Sequence, residues 1–134
     1  MTQKEIIVRQ AAKMFMAEGV KSVRMDDIAR ELSVSKRTLY ELFGDKEELI
    51  YEAICHFVEE AHMRRSAICS EVDNELEAML VSLRDMIARA PEVARVRRNL
   101  ERFYPKVNMR LEANGMMRSK NELREWLAAS IERG

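Results

Sequence analysis

Two cysteines, two prolines and four glycines are all that this 134-residue chain holds of the residues that staple, break or hinge a backbone. Cys55 and Cys69 fall on one expected helix, and fourteen residues of helix separate them by about 21 Å, too far for an intrachain bridge. Free thiols in a reducing compartment follow. A redox sensor is the alternative, but no neighbouring cation is in place to depress either thiol. With so few breakers and 47% hydrophobic residues, the composition suits an all-α globular protein. No apolar run approaches 20 residues and no signal-peptide pattern opens the chain, so nothing points to secretion or a membrane, and a cytoplasmic protein is expected. Net charge is also missing: 23 basic residues meet 23 acidic ones. The basic excess usual in a nucleic-acid binder is therefore absent, and the first 50 residues do not restore it, with nine of each sign. No glycine-rich phosphate loop, metal-ligand cluster or paired nucleophile and base is present, so no enzyme, metal or cofactor is expected. His56 and His62, six apart, turn about 240° from each other on a helix and make no metal pair.

What the chain does have is concentrated in residues 22–46, SVRMDDIARELSVSKRTLYELFGDK. Met25, Ile28, Ala29 and Leu32 mark one face of a short helix. The pattern stops at Ser33-Val34-Ser35, where Ser35 is a good N-cap. A second short helix follows from Lys36 to Phe43, with Leu39, Leu42 and Phe43 as its apolar face. Helix, three-residue turn, helix is the spacing of a helix-turn-helix, whose second helix can enter a DNA major groove. Lys36, Arg37 and Thr38 sit in the opening turn of that helix, where free amides and the helix dipole favour phosphate. Tyr40 and Glu41 also stay outside the core. Lys and Arg can neutralise phosphates or reach guanine edges, and Thr and Tyr hydroxyls can donate to phosphate oxygens. A solvated N-terminus in a helical hairpin without DNA is the plain alternative. Any positive field must come from placement, and Lys21, Arg24, Lys36, Arg37 and Lys46 flank the motif.

An ordered series over roughly the first 60 residues resembles the DNA-binding domain of the TetR family, the tetracycline-repressor-like regulators. It begins with Ala11-Ala12, Met14-Phe15 and Gly19-Val20. It continues through Ile28-Ala29, Val34-Ser35-Lys36 and Thr38-Leu39-Tyr40 to Phe43, Lys46 and Glu48-Leu49. Two positions depart from the family. Arg24 replaces the usual Ser or Thr at the start of the second helix, putting a guanidinium where a hydroxyl would meet phosphate. Ser33 replaces a turn glycine and must tolerate a less favourable backbone. The resemblance implies DNA contacts from Arg24, Ser35, Lys36, Arg37, Thr38, Tyr40 and Lys46. It also implies a homodimer on a near-palindromic operator, acting as a repressor released by a small apolar ligand.

Along the rest of the chain, a first helix is predicted over Gln3 to Glu18 with Phe15 as core anchor and Gly19 ending it. Asp45 and Glu48 resemble a capping box opening a fourth helix, Lys46 to about Ser70. A fifth carries Leu76, Met79, Leu80, Leu83, Met86, Ile87 and Ala90. Pro91 suits the start of a sixth, which runs to about Tyr104 before Pro105 interrupts. Arg95, Arg97, Arg98, Arg102, Lys106 and Arg110 make this stretch basic: either a second nucleic-acid patch or, better supported, solvated faces and ion pairs. A seventh helix covers much of Lys106 to Arg133, with Leu123, Trp126, Leu127 and Ile131 as its late stripe. The expected organisation is a three-helix headpiece at 1–48 and a helical regulatory domain at 49–134 without the family's last two helices. Candidate ligand-pocket residues are Met63, Met79, Leu83, Met86, Phe103 and Trp126, although core filling is the simpler role for the methionines. A helical protein-interaction module without DNA affinity is the competing function.

Overall fold

The computed structural model describes residues 1–71 and 74–115, and among these it is entirely helical. The elements are α1 (Gln3–Glu18), α2 (Met25–Leu32), α3 (Lys36–Phe43), α4 (Lys46–Glu71), α5 (Glu75–Phe103) and α6 (Pro105–Ala113). The expected all-α architecture with an N-terminal helix-turn-helix bundle is what the chain adopts. The stretch carrying Leu123, Trp126 and Ile131 lies outside the described residues.

Local chemistry sets the helix starts. Thr2 caps α1 reciprocally with Glu5: the Glu5 amide donates to the Thr2 hydroxyl and the Thr2 amide to the Glu5 carboxylate. Ser35 caps α3 by accepting from the Thr38 amide at 3.0 Å. Asp45 caps α4 by accepting from the Glu48 amide at 2.8 Å, but Glu48 does not reach back. Its carboxylate instead accepts from Arg110 at 2.7 Å, tying α4 to α6. Arg24, which has no acceptor to offer, opens α2 by donating its own amide to Asp27 at 2.9 Å.

Phe15, Ile7 and Ala11 of α1 lie fully buried against Ile28 of α2, Leu39 of α3 and Leu49, Ile50 and Ala53 of α4. The same core continues without a break into Val96 and Leu100 of α5 and Val107 and Leu111 of α6. The three-helix headpiece thus shares one core with the ends of the later helices. That suits its size, since a bundle of about 50 residues alone buries too little to be robust.

Pro91 does not start a new helix; α5 runs through it. Proline removes the bond from its own nitrogen to the carbonyl four residues back, a loss of about 3 kcal/mol in a helix interior. Both Pro91 and Ile87 are solvent-exposed, so water can satisfy the freed carbonyl. The downstream turns are held by their burial on the headpiece. Pro105 behaves as expected: α5 stops at Phe103, and proline occupies the first turn of α6. The methionine expectation is corrected. Met63, Met79, Met86 and Met109 are 53–68% exposed rather than core filling. The whole stripe of Leu76, Met79, Leu80, Leu83, Met86 and Ile87 faces solvent among the described residues.

The seam between α1 and α5 is polar at its centre. Helix α1 ends without a basic residue in its last turn. Arg95 supplies one from α5, donating to the carbonyls of Met16 at 2.8 Å and Ala17 at 2.6 Å. Asn99 accepts from the Lys21 amide at 2.9 Å in the following turn. Gly19 lies between them with φ 91°, and a Cβ there would come within 3.3 Å of the Asn99 side chain. Only glycine combines that backbone with so close an approach.

Two stability outcomes follow. Ser33 is the only non-glycine residue with positive φ (55°) among the described residues. Ser33→Gly removes about 1–2 kcal/mol of left-handed strain and loses about half of that to unfolded-state entropy. A net gain of about 1 kcal/mol in urea unfolding is expected. Arg95→Ala strips charged hydrogen bonds from two carbonyls and should cost about 2 kcal/mol in the same measurement.

Candidate nucleic-acid interface

Helix α3 has the division of labour that groove entry requires. Leu39 and Phe43 are buried, whereas Lys36, Arg37, Tyr40 and Glu41 face solvent. The turn before it is set by Ser33, whose left-handed backbone (φ 55°, ψ 37°) ends α2, and by the Val34 amide, which donates to the Ala29 carbonyl. Ser35 and Thr38 are joined by their hydroxyls at 2.7 Å, so the capping serine and the threonine act as one polar unit at the start of α3.

The cations fall into two groups. Lys36 pairs with Asp26 of α2 at 3.1 Å, and Arg37 with Glu41 at 2.9 Å on its own helix. Both pairs are exposed; the Arg37 side chain retains 89% of its accessible surface. The hydrogen bond and charge of Asp26 hold the Lys36 ammonium above the usual lysine range, so it is fully charged at neutral pH. Exposed pairs of this kind contribute roughly 0–1 kcal/mol and exchange readily for another anion. Arg24 and Lys46 form the second group: among the described residues no carboxylate pairs with either side chain. Arg24 projects from the exposed N-terminus of α2. Lys46, half-buried in the first turn of α4, donates to the Tyr104 hydroxyl at 3.0 Å and lies 5.4 Å from the centre of that ring. A neutral partner fixes its position and leaves its charge uncompensated.

Sequence reasoning did not assign Tyr104 to this site. Fifty-eight residues separate it from Lys46, and no periodicity links the two. Its neighbour Phe103 lies under the Lys21 ammonium at 4.8 Å, so this aromatic pair holds two cations flanking the helix-turn-helix. The basic stretch of α5 and α6 proves largely structural. Arg95 caps α1, Arg110 pairs with Glu48 and stacks 3.6 Å from the Tyr51 ring centre, and Arg102 lies against Phe103.

The candidate pocket residues are not brought together. Met86 lines a groove between α4 and α5, Met63, Met79 and Leu83 are exposed, and Phe103 packs by Lys21. Trp126 lies outside the described residues. Cys55 is a free, half-buried thiol whose pKa is pushed up by burial, the opposite of an activated sulfur. No described helix is long and apolar enough to cross a membrane.

Comparison with known proteins matches this geometry. The family described as "Bacterial regulatory proteins, tetR family" matches residues 7–53. HTH-type transcriptional regulators of Staphylococcus aureus, in strains USA300 and N315 among others, are 36% identical over 73 residues. That alignment takes in 54% of this chain and 40% of theirs, so the chain spans well under half the length of these curated relatives. Among solved structures, a TetR-family transcriptional regulator of Mesorhizobium loti superposes with a TM-score of 0.63 at 21% identity, over 84% of this chain and 62% of that one. The TetR-family regulator PfmR of Thermus thermophilus superposes at 0.54 with 26% identity, over 96% and 71%. Residues 7–53, the helix-turn-helix unit, are thus similar to the tetR family of bacterial regulatory proteins.

Proposed function

We propose that this protein is a sequence-specific DNA-binding transcriptional regulator. The observation that carries the reading is α3 itself: a short, capped helix with its apolar face locked in the core and Lys36, Arg37, Thr38 and Tyr40 left at its outer face. Its similarity to HTH-type regulators of Staphylococcus aureus supports the same role. In this reading Lys36 and Arg37 exchange Asp26 and Glu41 for DNA, Tyr40 and the Ser35–Thr38 unit meet phosphate, and Arg24 and Lys46 grip the backbone on either side. Two copies related by a two-fold axis place their recognition helices in successive major grooves of a near-palindromic operator. Residues 1–48 read DNA, and residues 49–134 respond to a small molecule that prefers the arrangement unable to bind, so that its binding releases the operator. The protein acts as a repressor in the cytoplasm.

Fluorescence anisotropy on duplex DNA flanking its own gene, at two salt concentrations, tests this. Specific binding should weaken steeply with salt, and Lys36→Ala with Arg37→Ala should abolish preference for that duplex over random sequence. Salt-insensitive binding, or none at low salt by the folded protein, would instead favour a helical protein-interaction module. A complementary outcome concerns the paired carboxylate. Glu41→Gln frees Arg37 and removes a charge that phosphate repels, so affinity for duplex DNA should rise severalfold at low salt. Unchanged affinity in that variant would place Arg37 away from the DNA.

A further inference from the structure

We infer that Lys21 is a further phosphate-contacting residue of the DNA interface, and that Phe103 and Tyr104 are positioning residues that hold Lys21 and Lys46 for the DNA backbone. This rests on the regulator function proposed above and extends its DNA-binding surface to residues outside α2 and α3. Lys21 lies in the turn that leads from α1 into α2, and Lys46 lies in the first turn of α4. One cation therefore precedes the helix-turn-helix along the chain, and the other follows it.

Both are held from one place, the end of α5. Asn99 and Phe103 are four residues apart and share a face of that helix. Asn99 accepts from the Lys21 amide at 2.9 Å, and the Phe103 ring centre lies 4.8 Å from the Lys21 ammonium. Successive turns of α5 thus fix the backbone and the side-chain end of the same lysine. The next residue, Tyr104, takes the Lys46 ammonium on its hydroxyl at 3.0 Å. Tyr104 is itself anchored at the junction of two helices. Its amide donates to the Leu100 carbonyl at 3.0 Å, and its carbonyl accepts from the Asn108 amide at 3.1 Å. Leu100 and Val107, to either side of it, are buried in the headpiece core.

Each of these partners is neutral. A ring face and a phenol oxygen stabilise an ammonium without cancelling its charge. Among the described residues no carboxylate pairs with Lys21 or Lys46. Asp45, beside Lys46 in the chain, is engaged in capping α4. The Arg102 guanidinium lies 5.2 Å from the same Phe103 ring centre, so one ring gathers two like charges that an incoming phosphate would relieve. The basic residues with a structural task behave otherwise: Arg95 is satisfied by the α1 carbonyls, and Arg110 is paired with Glu48. A free lysine side chain loses rotamer freedom when it meets a phosphate, whereas one already restrained loses less, so preset geometry raises affinity. Uncompensated charge, restraint by neutral groups and a place beside the recognition unit together fit cations that face the DNA backbone.

Fluorescence anisotropy of the full chain across a salt series, on duplex DNA flanking its own gene and on a random duplex, tests it. Lys21→Gln should weaken binding to both duplexes alike, by about fivefold at low salt, and lower the slope of log affinity against log salt by about one per protomer. Tyr104→Phe and Phe103→Leu keep both lysines, so each should weaken binding about threefold and leave that slope unchanged. Phe103 is 40% exposed and Tyr104→Phe retains its ring, so neither substitution opens the core. Phe103→Tyr, which keeps the aromatic face, should bind as wild type does. Tyr104→Phe should have no further effect once Lys46→Gln is in place, nor Phe103→Leu once Lys21→Gln is, because each aromatic residue acts only through its lysine. An unchanged slope in Lys21→Gln overturns the inference. So does wild-type affinity in either aromatic variant, or an aromatic effect that persists without its lysine. These failures leave the regulator reading intact, since wild type still binds. Absence of DNA binding by the folded wild type overturns that reading and the inference together.

Discussion

The carbonyls at the end of α1 are the point on which the rest of the structure turns. A helix C-terminus presents unsatisfied acceptors and a partial negative charge. In this chain the Gly19 amide meets only the Phe15 carbonyl, and no basic residue in the last turn serves the others. Arg95 meets them from α5, and Asn99 anchors the next stretch of chain. That contact places Val96 and Leu100 in the headpiece core, sets Phe103 beneath Lys21, and brings Tyr104 to Lys46. A three-helix unit too small to be robust by itself thereby gains its fourth wall from residues nearly eighty positions away.

The zero net charge, which argues against nucleic-acid binding when read as a total, is reconciled by how the charges are paired. In the proposed function the acidic residues around α3 act as placeholders. Asp26 and Glu41 hold Lys36 and Arg37 in exposed pairs worth at most about 1 kcal/mol, a cost that a row of phosphates offsets easily. Lys46 follows a different logic. Its partner is a neutral hydroxyl, so the side chain loses freedom without losing field. The two arrangements differ in kind: exposed, exchangeable cations on the outer face of α3, and a fixed cation at its flank.

Much of this could be read from the sequence. Local signals located the boundaries of α1 to α4, the Ser35 and Asp45 caps and the strained Ser33, because capping and periodicity act within a few residues. The outward group of α3 was legible for the same reason: Leu39 and Phe43 fix one face, and the others follow. What escaped were the long-range pairings. Glu48 looked like the return half of a capping box, yet Arg110 on α6 competes for it and wins with a charged bond. Pro91 reads as a helix start because its cost is local, while the anchoring of Arg95, Val96 and Leu100 on the headpiece lies far outside any local window. Met79 and Leu83 showed helical periodicity, which specifies a face but not whether anything covers it.

The continuity of α5 through Pro91 has a mechanical consequence. The groove-lining residues Met86, Arg89, Ala90, Val93 and Ala94 occupy the same helix as Arg95, Asn99 and Phe103, with Tyr104 at its end. Had the chain broken at Pro91, a shift at the groove could relax in the loop. In an unbroken helix it must either be resisted or be passed to the α1 carbonyls and to Lys46. The proline makes that segment the weakest in the helix, since one backbone bond is missing there. Any two arrangements of α5 relative to α1 would therefore differ most simply by bending at Pro91, with Arg95 and Tyr104 on one side and Asp85 and Met86 on the other.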